Sequence, residues 1–232
     1  MIYEVIFKVK APIIATSDVH FDSILYAVSP AGHNKKNVIT RLTLQDQIND
    51  LPIPVDCMKI GDRYIYCCSA ASYTNAYQIT ETSTKRKNGL DYMFYHTAQS
   101  PKSGIDKDSM IKLHGIACEE VHFILSSSNL KELERYCKRI KSVGSMRKQG
   151  YGQVSDCVIV TRSDLDWRDC VVDNGQAVRN IPACFLTNEC KSFDRCKPPY
   201  FLLDGREAAA KVGDKAILKT DVYLSKFRRN YK

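Results

Sequence analysis

The chain has 232 residues, 44% of them hydrophobic, with 34 Lys and Arg against 26 Asp and Glu and a formal charge of +8. That apolar content at that length supports a packed core and excludes a wholly disordered chain, while the positive balance suits polyanionic partners, nucleic acid or an anionic membrane surface, without selecting one. No apolar run approaches the ~20 residues of a membrane span, and Met1-Ile2-Tyr3-Glu4-Val5 does not open a charged-then-apolar leader, so a soluble, cytoplasmic protein is expected.

Tyr3, Val5, Phe7 and Val9 alternate with Glu4, Lys8 and Lys10, the period of a half-buried strand, which Pro12 closes. After Asp18-Val19-His20, apolar residues at Phe21, Ile24, Leu25 and Val28 fall at helical spacing, and Ser29-Pro30 ends that helix. Leu51 to Ala71 reads as strands, notably Arg63-Tyr64-Ile65-Tyr66-Cys67-Cys68. Thr80 to Gly104 turns polar and basic, with Lys85-Arg86-Lys87, the turn signal Asn88-Gly89 and an apolar island Leu90 to Tyr95, and predicts a protruding hairpin or flap. Val121, Phe123 and Leu125 alternate as a strand, and Ser126-Ser127-Ser128 supplies a turn. Asn129 followed by Glu132 is a variant capping box, and Leu130, Leu133, Cys137, Ile140 and Val143 predict a helix that Gly144 stops. Val154 to Thr161 is a further strand.

The order strand, helix, β-rich middle, strand, helix, strand is that of a split βαβ, so the expected fold is α+β and ferredoxin-like, βαββαβ and RRM-like. Residues 1–162 form its core, with the basic flap at about 80–104 inserted, and residues 163–232 form a β-rich C-terminal extension or small appended domain with proline signals at Pro182 and Pro198-Pro199 and a basic end, Lys226 to Lys232.

Ten cysteines without a secretory signal are expected to be free thiols. Cys184, Cys190 and Cys196 are separated by five residues each, wider than the about two to four usual between paired zinc ligands, and no Cys-x-x-Cys occurs, so neither metal nor cofactor is expected. Adjacent Cys67 and Cys68 face opposite sides of a strand, which suits one core thiol and one exposed thiol.

The sharpest feature is Gly144-Ser145-Met146-Arg147-Lys148-Gln149-Gly150-Tyr151-Gly152-Gln153-Val154, between a helix and a strand. Glycines allow close approach to a phosphate, exposed N–H groups and Arg147 and Lys148 favour an anion, and Tyr151 offers a face for a stacked base. On spacing alone, an RNA-gripping loop and a plain glycine turn with two solvated cations stand level. A phosphate loop of the nucleotide-binding kind runs from strand into helix, the reverse of this order, and is excluded. Lys85, Arg86 and Lys87 form a second basic cluster that could grip a nucleic-acid backbone. Of five histidines (His20, His33, His96, His114 and His122) none stands in a catalytic motif; His20 and His33, flanking the first helix, are the candidates if the chain is a metal-independent endoribonuclease.

The glycine loop, its helix-to-strand context and the ferredoxin-like order resemble the RAMP superfamily of CRISPR RNA-binding proteins, and within it the handle-binding "Cas five" subunits of type IV systems. Also carrying the resemblance are His20-Phe21-Asp22-Ser23-Ile24-Leu25-Tyr26-Ala27, Leu51-Pro52-Ile53-Pro54 before Cys68-Ser69-Ala70-Ala71, Lys85-Arg86, Ile140-Lys141-Ser142-Val143-Gly144, and Val178-Arg179-Asn180-Ile181-Pro182. The resemblance implies a subunit without turnover that caps the 5′ handle of the crRNA. Gly144, Ser145, Arg147, Lys148, Gly150, Tyr151, Gly152 and Gln153 would hold that handle, with Lys85, Arg86 and Lys87 in a thumb-like flap near guide or target. Docking against backbone and large subunits is also implied. A processing endoribonuclease, with His20 or His33 as base, is the alternative, and a small interaction module with incidental charge a third.

Overall fold

A computed structural model describes residues 1–15, 18–29, 53–85, 109–198, 200 and 206–227. The protein is α+β. Its elements are β1 (Ile2–Val9), β2 (Ile13–Ile14), α1 (Phe21–Val28), β3 (Cys57–Ile60), β4 (Arg63–Tyr66), β5 (Ser72–Thr74), β6 (Tyr77–Lys85), β7 (Ser109–Ala117), β8 (Glu120–Ser126), α2 (Leu130–Cys137), β9 (Val154–Thr161), β10 (Val172–Asp173), β11 (Gln176–Ala177), β12 (Ile181–Pro182), β13 (Ser192–Asp194), β14 (Glu207–Ala210) and β15 (Tyr223–Ser225).

The principal sheet has the order β5-β8-β1-β9 with every neighbouring pair antiparallel. The alternation in β1 sends Tyr3, Val5 and Phe7 to one face, where they join Val121, Phe123 and Leu125 of β8 beneath both helices. Phe21 of α1 packs on Phe123 with ring centroids 5.0 Å apart, and Phe7 meets Phe123 edge-on at 6.0 Å, a favourable aromatic geometry. Leu133, Tyr136 and Cys137 carry α2 onto the same core. Asn129 caps α2 by accepting from the Glu132 N–H at 3.1 Å.

The second helix is shorter than its apolar spacing predicts. It ends at Cys137, because residues 141–143 turn back to pair with the strand-side arm of the glycine loop: the Val143 N–H donates to the Gly152 carbonyl at 2.8 Å and Val154 N–H to the Lys141 carbonyl at 3.0 Å. Ile140 and Val143 stay buried in an irregular segment, so their spacing reports core-facing residues rather than helix length.

A second core gathers Ile2, Met58, Ile65 and Cys67 with Cys170, Val171, Ile181, Phe185, Ala209 and Val222 from the C-terminal third. Strand β15 pairs with β3, bringing that third back onto the middle of the chain. This layering corrects the expectation for the adjacent cysteines: they follow the end of β4 rather than lie in a strand, Cys68 points into the helical core and Cys67 into the second, and both are fully buried because a core lies on each side of the segment.

A third sheet, β2-β7-β6, includes a long antiparallel hairpin in which β6 and β7 pair residue for residue from Tyr77 with Ala117 to Lys85 with Ser109. Most of the predicted flap, including Arg86 and Lys87, lies between these strands and outside the described residues.

Candidate nucleic-acid interface

The glycine loop is built against β2. Ser145 makes an antiparallel bridge with Ile14, its N–H and its hydroxyl both donating to the Ile14 carbonyl at 2.7 Å, and the Gly152 N–H donates to the Pro12 carbonyl at 2.8 Å. Lys10 N–H donates to the Gln153 carbonyl at 2.9 Å. Since β2 also pairs with β7, the stem of the hairpin and the glycine loop are two edges of one hydrogen-bonded unit. Glu81 of β6 ties them again by accepting a hydrogen bond from the Tyr151 phenol, which raises the phenol's pKa.

The glycines divide by role. At Gly144 (φ +86°) a Cβ would lie 2.7 Å from both the Ile14 carbonyl oxygen and the Ile13 side chain, and at Gly152 (φ +62°) 1.8 Å from the Val143 carbonyl oxygen; both serve the close packing of the loop. Gly150 (φ +90°) has nothing within 4 Å of the position a Cβ would take, so its backbone faces open space. Arg147 and Lys148, in a single 3-10 turn between Met146 and Gly150, are exposed and have no acidic partner among the described residues.

The loop's predicted site residues thus separate into a frame, Gly144, Ser145, Gly152 and Gln153, and a tip, Arg147, Lys148 and Gly150. Tyr151 sits half-buried between them with its hydroxyl already engaged, so only its ring surface is left for stacking. Lys85 ends β6, opposite Ser109. The structure brings two further exposed cations to the base of the loop, Lys10 and Lys141, which the sequence reading left out. Their signal was only positional: each lies beside a residue that pairs with Gln153 or Val154 once the fold closes.

His20 does not stand at this loop, and His33 lies outside the described residues. His20 is 3% exposed, stacked on Tyr200 with ring centroids 4.4 Å apart, and its Nδ1 has no hydrogen-bond partner among the described residues. Burial, with a contribution from the Arg179 charge, pushes its pKa down to about 3. An imidazole buried to that degree is out of reach of a scissile 2′-OH, and its depressed pKa makes it a poor base near neutral pH.

Beside His20 lies a charged cluster that sequence reasoning missed. Arg179 is completely buried and donates to Asp22 at 3.0 Å, the Tyr200 hydroxyl at 2.9 Å, and the carbonyls of Cys196 at 2.8 Å, Cys68 at 3.2 Å and Tyr66. The Tyr200 hydroxyl in turn reaches both Asp22 oxygens, at 3.1 and 3.0 Å. Burial pushes the Asp22 carboxyl upward and the guanidinium opposes it. On the other face of the sheet, His122 and Arg162 hold Glu4 from two sides, at 2.9 and 2.7 Å; burial raises the Glu4 pKa, but these two partners outweigh it and keep the carboxylate below its ordinary range.

Among the described residues no three His, Cys, Asp or Glu side chains gather as a metal-binding group, and no helix is long and apolar enough to cross a membrane. No protein-family model matches the sequence, and no curated protein matches it. Among solved structures, the chain is similar to a chain of the cryo-EM structure of the Type III-B Cmr-beta bound to cognate target RNA. The TM-score is 0.35 and the identity 13%, over 69% of this chain and 60% of that one, so the match spans less than two thirds of the other chain.

Proposed function

We propose that this chain is a non-catalytic RNA-binding subunit with a ferredoxin-like RAMP core, which caps the 5′ handle of the crRNA in a type IV-like, cytoplasmic CRISPR effector complex and docks against its backbone and large subunits. The observation that carries the RNA reading is the division of labour in the glycine loop. A frame locked to β2 holds out a tip with two exposed cations that have no acidic partner among the described residues and an open glycine backbone, the combination of fixed geometry and charge that suits a phosphate chain. Support for the ferredoxin-like core comes from the sheet order β5-β8-β1-β9 with both helices on one face. The CRISPR assignment rests on the motif resemblance.

The test is labelled repeat RNA incubated with the purified protein in EDTA, following retardation and cleavage together. Handle-dependent retardation without cleavage is expected. Arg147→Ala with Lys148→Ala should weaken it and reduce the slope of log K against log salt by about 1.4, two cations at ~0.7 each for a single strand. Binding that ignores the handle sequence and is untouched by the double substitution would reduce the chain to an interaction module with incidental charge. Metal-independent cutting at one site would make it a processing nuclease instead.

A further inference from the structure

Strand β9 is the edge of the principal sheet, and among the described residues nothing pairs with its outer side beyond Val154. Edge strands of this length are normally guarded by lysine, proline or a covering element. Here the strand reads Val154-Ser155-Asp156-Cys157-Val158-Ile159-Val160-Thr161, with one charge and no proline, and Val158 and Val160 are 42% and 40% exposed on the face away from the helices. The donation from Arg162 N–H to the Ile2 carbonyl at 3.0 Å fixes the even-numbered residues as those bonded to β1. The backbone groups of Cys157, Ile159 and Thr161 therefore point outward, and the Asp156 carboxylate folds back to accept from the Cys157 N–H at 2.8 Å.

We infer that this edge pairs with the same edge of a second copy, joining two sheets into one. A two-fold axis normal to the sheet sets identical strands antiparallel and keeps every side chain on its own face. Centred on Ile159, it places Val158 against Val160 of the second copy and Asp156 against Arg162, apolar on apolar and acid on base; Asp156 then turns from the Cys157 N–H to that arginine, and the freed N–H donates to the Thr161 carbonyl of the second copy. Centred on Val158 it would set Asp156 against Val160, and centred on Val160 it would set Asp156 against Asp164. Arg162 already uses three N–H groups on Glu4 and Asp164, which leaves others for a further acceptor. The glycine loops, each just ahead of β9, then stand at opposite ends of the joint. The two Gln153 positions are twelve residues apart along the paired strands, about 40 Å at ~3.3 Å per residue.

Sedimentation equilibrium over about a hundredfold range of concentration should give a mass that rises to twice that of the chain. Val160→Lys, at an exposed position, should hold it at one chain with unchanged circular dichroism and the thermal midpoint of the wild type at dilutions where that is one chain. The register is read separately by mixing Val158→Cys with Val160→Cys under mild oxidation: disulfide-linked heterodimers should exceed either homodimer, against an uncrosslinked wild-type background. A monomer at every concentration, a dimer that survives Val160→Lys, or crosslinking of Val158→Cys chiefly to itself would each overturn the inference. Because none of these readouts uses RNA, they stand or fall apart from the RNA-binding proposal.

Discussion

Replacing Arg179 by Met should be among the most damaging single changes available to this protein. The guanidinium is fully buried and serves Asp22, the Tyr200 hydroxyl and the carbonyls of Tyr66, Cys68, Asn180 and Cys196 at once. Met fills much of the volume but leaves the Asp22 carboxylate inside the core with the Tyr200 hydroxyl and the Ser23 backbone N–H as donors and no opposing charge among the described residues. Breaking one side of a buried pair costs about 3–5 kcal/mol; the Tyr66 carbonyl keeps the Cys68 N–H and the Cys196 carbonyl keeps the Tyr200 hydroxyl, so stranded carbonyls add little to that. A loss of about 4 kcal/mol is expected, out of the roughly 5–15 kcal/mol that a domain normally holds. Urea unfolding with a common slope is the assay. Arg63→Met serves as the control: that guanidinium also binds a carboxylate, Glu207, but its side chain is 61% exposed, so about 0–1 kcal/mol is expected. Asp22→Asn combined with Arg179→Met should recover part of the loss, because the amide carries no charge to bury. Equal costs at Arg63 and Arg179, or a double variant no better than Arg179→Met alone, would refute the view of the cluster as a mutually compensated ion pair.

Gly152→Ala should cost roughly 3 kcal/mol, combining a left-handed backbone with a Cβ placed 1.8 Å from a carbonyl oxygen, whereas Gly150→Ala, with open space around it, should cost only the backbone share of about 1–2 kcal/mol; thermal midpoints of the two variants rank them. His20 is held to about 3 against an ordinary 6.5, so between those values the unfolded chain binds a proton that the native one refuses, and stability falls as pH drops, by at most about 1.4 kcal/mol per unit. His20→Phe keeps a ring on Tyr200 and should flatten that slope in urea titrations from pH 7 to pH 4; an unchanged slope would mean the imidazole is not the source. Glu4 is depressed by His122 and Arg162, so its contribution is present above the ordinary carboxylate range and is lost as pH falls through its lower folded value. Glu4→Gln should therefore destabilise the protein at pH 7 and have a progressively smaller effect in acid, as followed by thermal melts.

The elements that were legible are those whose side chains see one environment. Strand β1 shows its alternation because Tyr3, Val5 and Phe7 meet the helices while Glu4 and Lys8 mark the other face, and α1 shows a helical period because Phe21, Ile24 and Leu25 all face the same core. Where two environments compete, local pattern misleads. Ile140 and Val143 continue the apolar spacing of α2, yet pairing with the far arm of the glycine loop takes that stretch out of the helix. The segment after β4 that holds Cys67 and Cys68 is covered on both sides by segments more than a hundred residues apart in sequence, so no local rule could say that both thiols are buried.

The same distinction governs the candidate site. That a loop of this composition stands between a helix and a strand was visible in the sequence, but the division of its glycines was not, because it depends on Pro12, Ile13 and Ile14 passing beneath them. Two glycines are consumed by that passage, so their presence says nothing about a ligand; the one that remains open lies next to the two exposed cations. In this loop only Gly150 is left to bring the backbone close to a phosphate. The comparison of Gly150→Ala with Gly152→Ala consequently does more than rank stabilities: a folded Gly150→Ala protein that loses handle binding would localise the phosphate chain to the tip, and one that binds normally would move it to the cations Lys10 and Lys141 at the base of the loop.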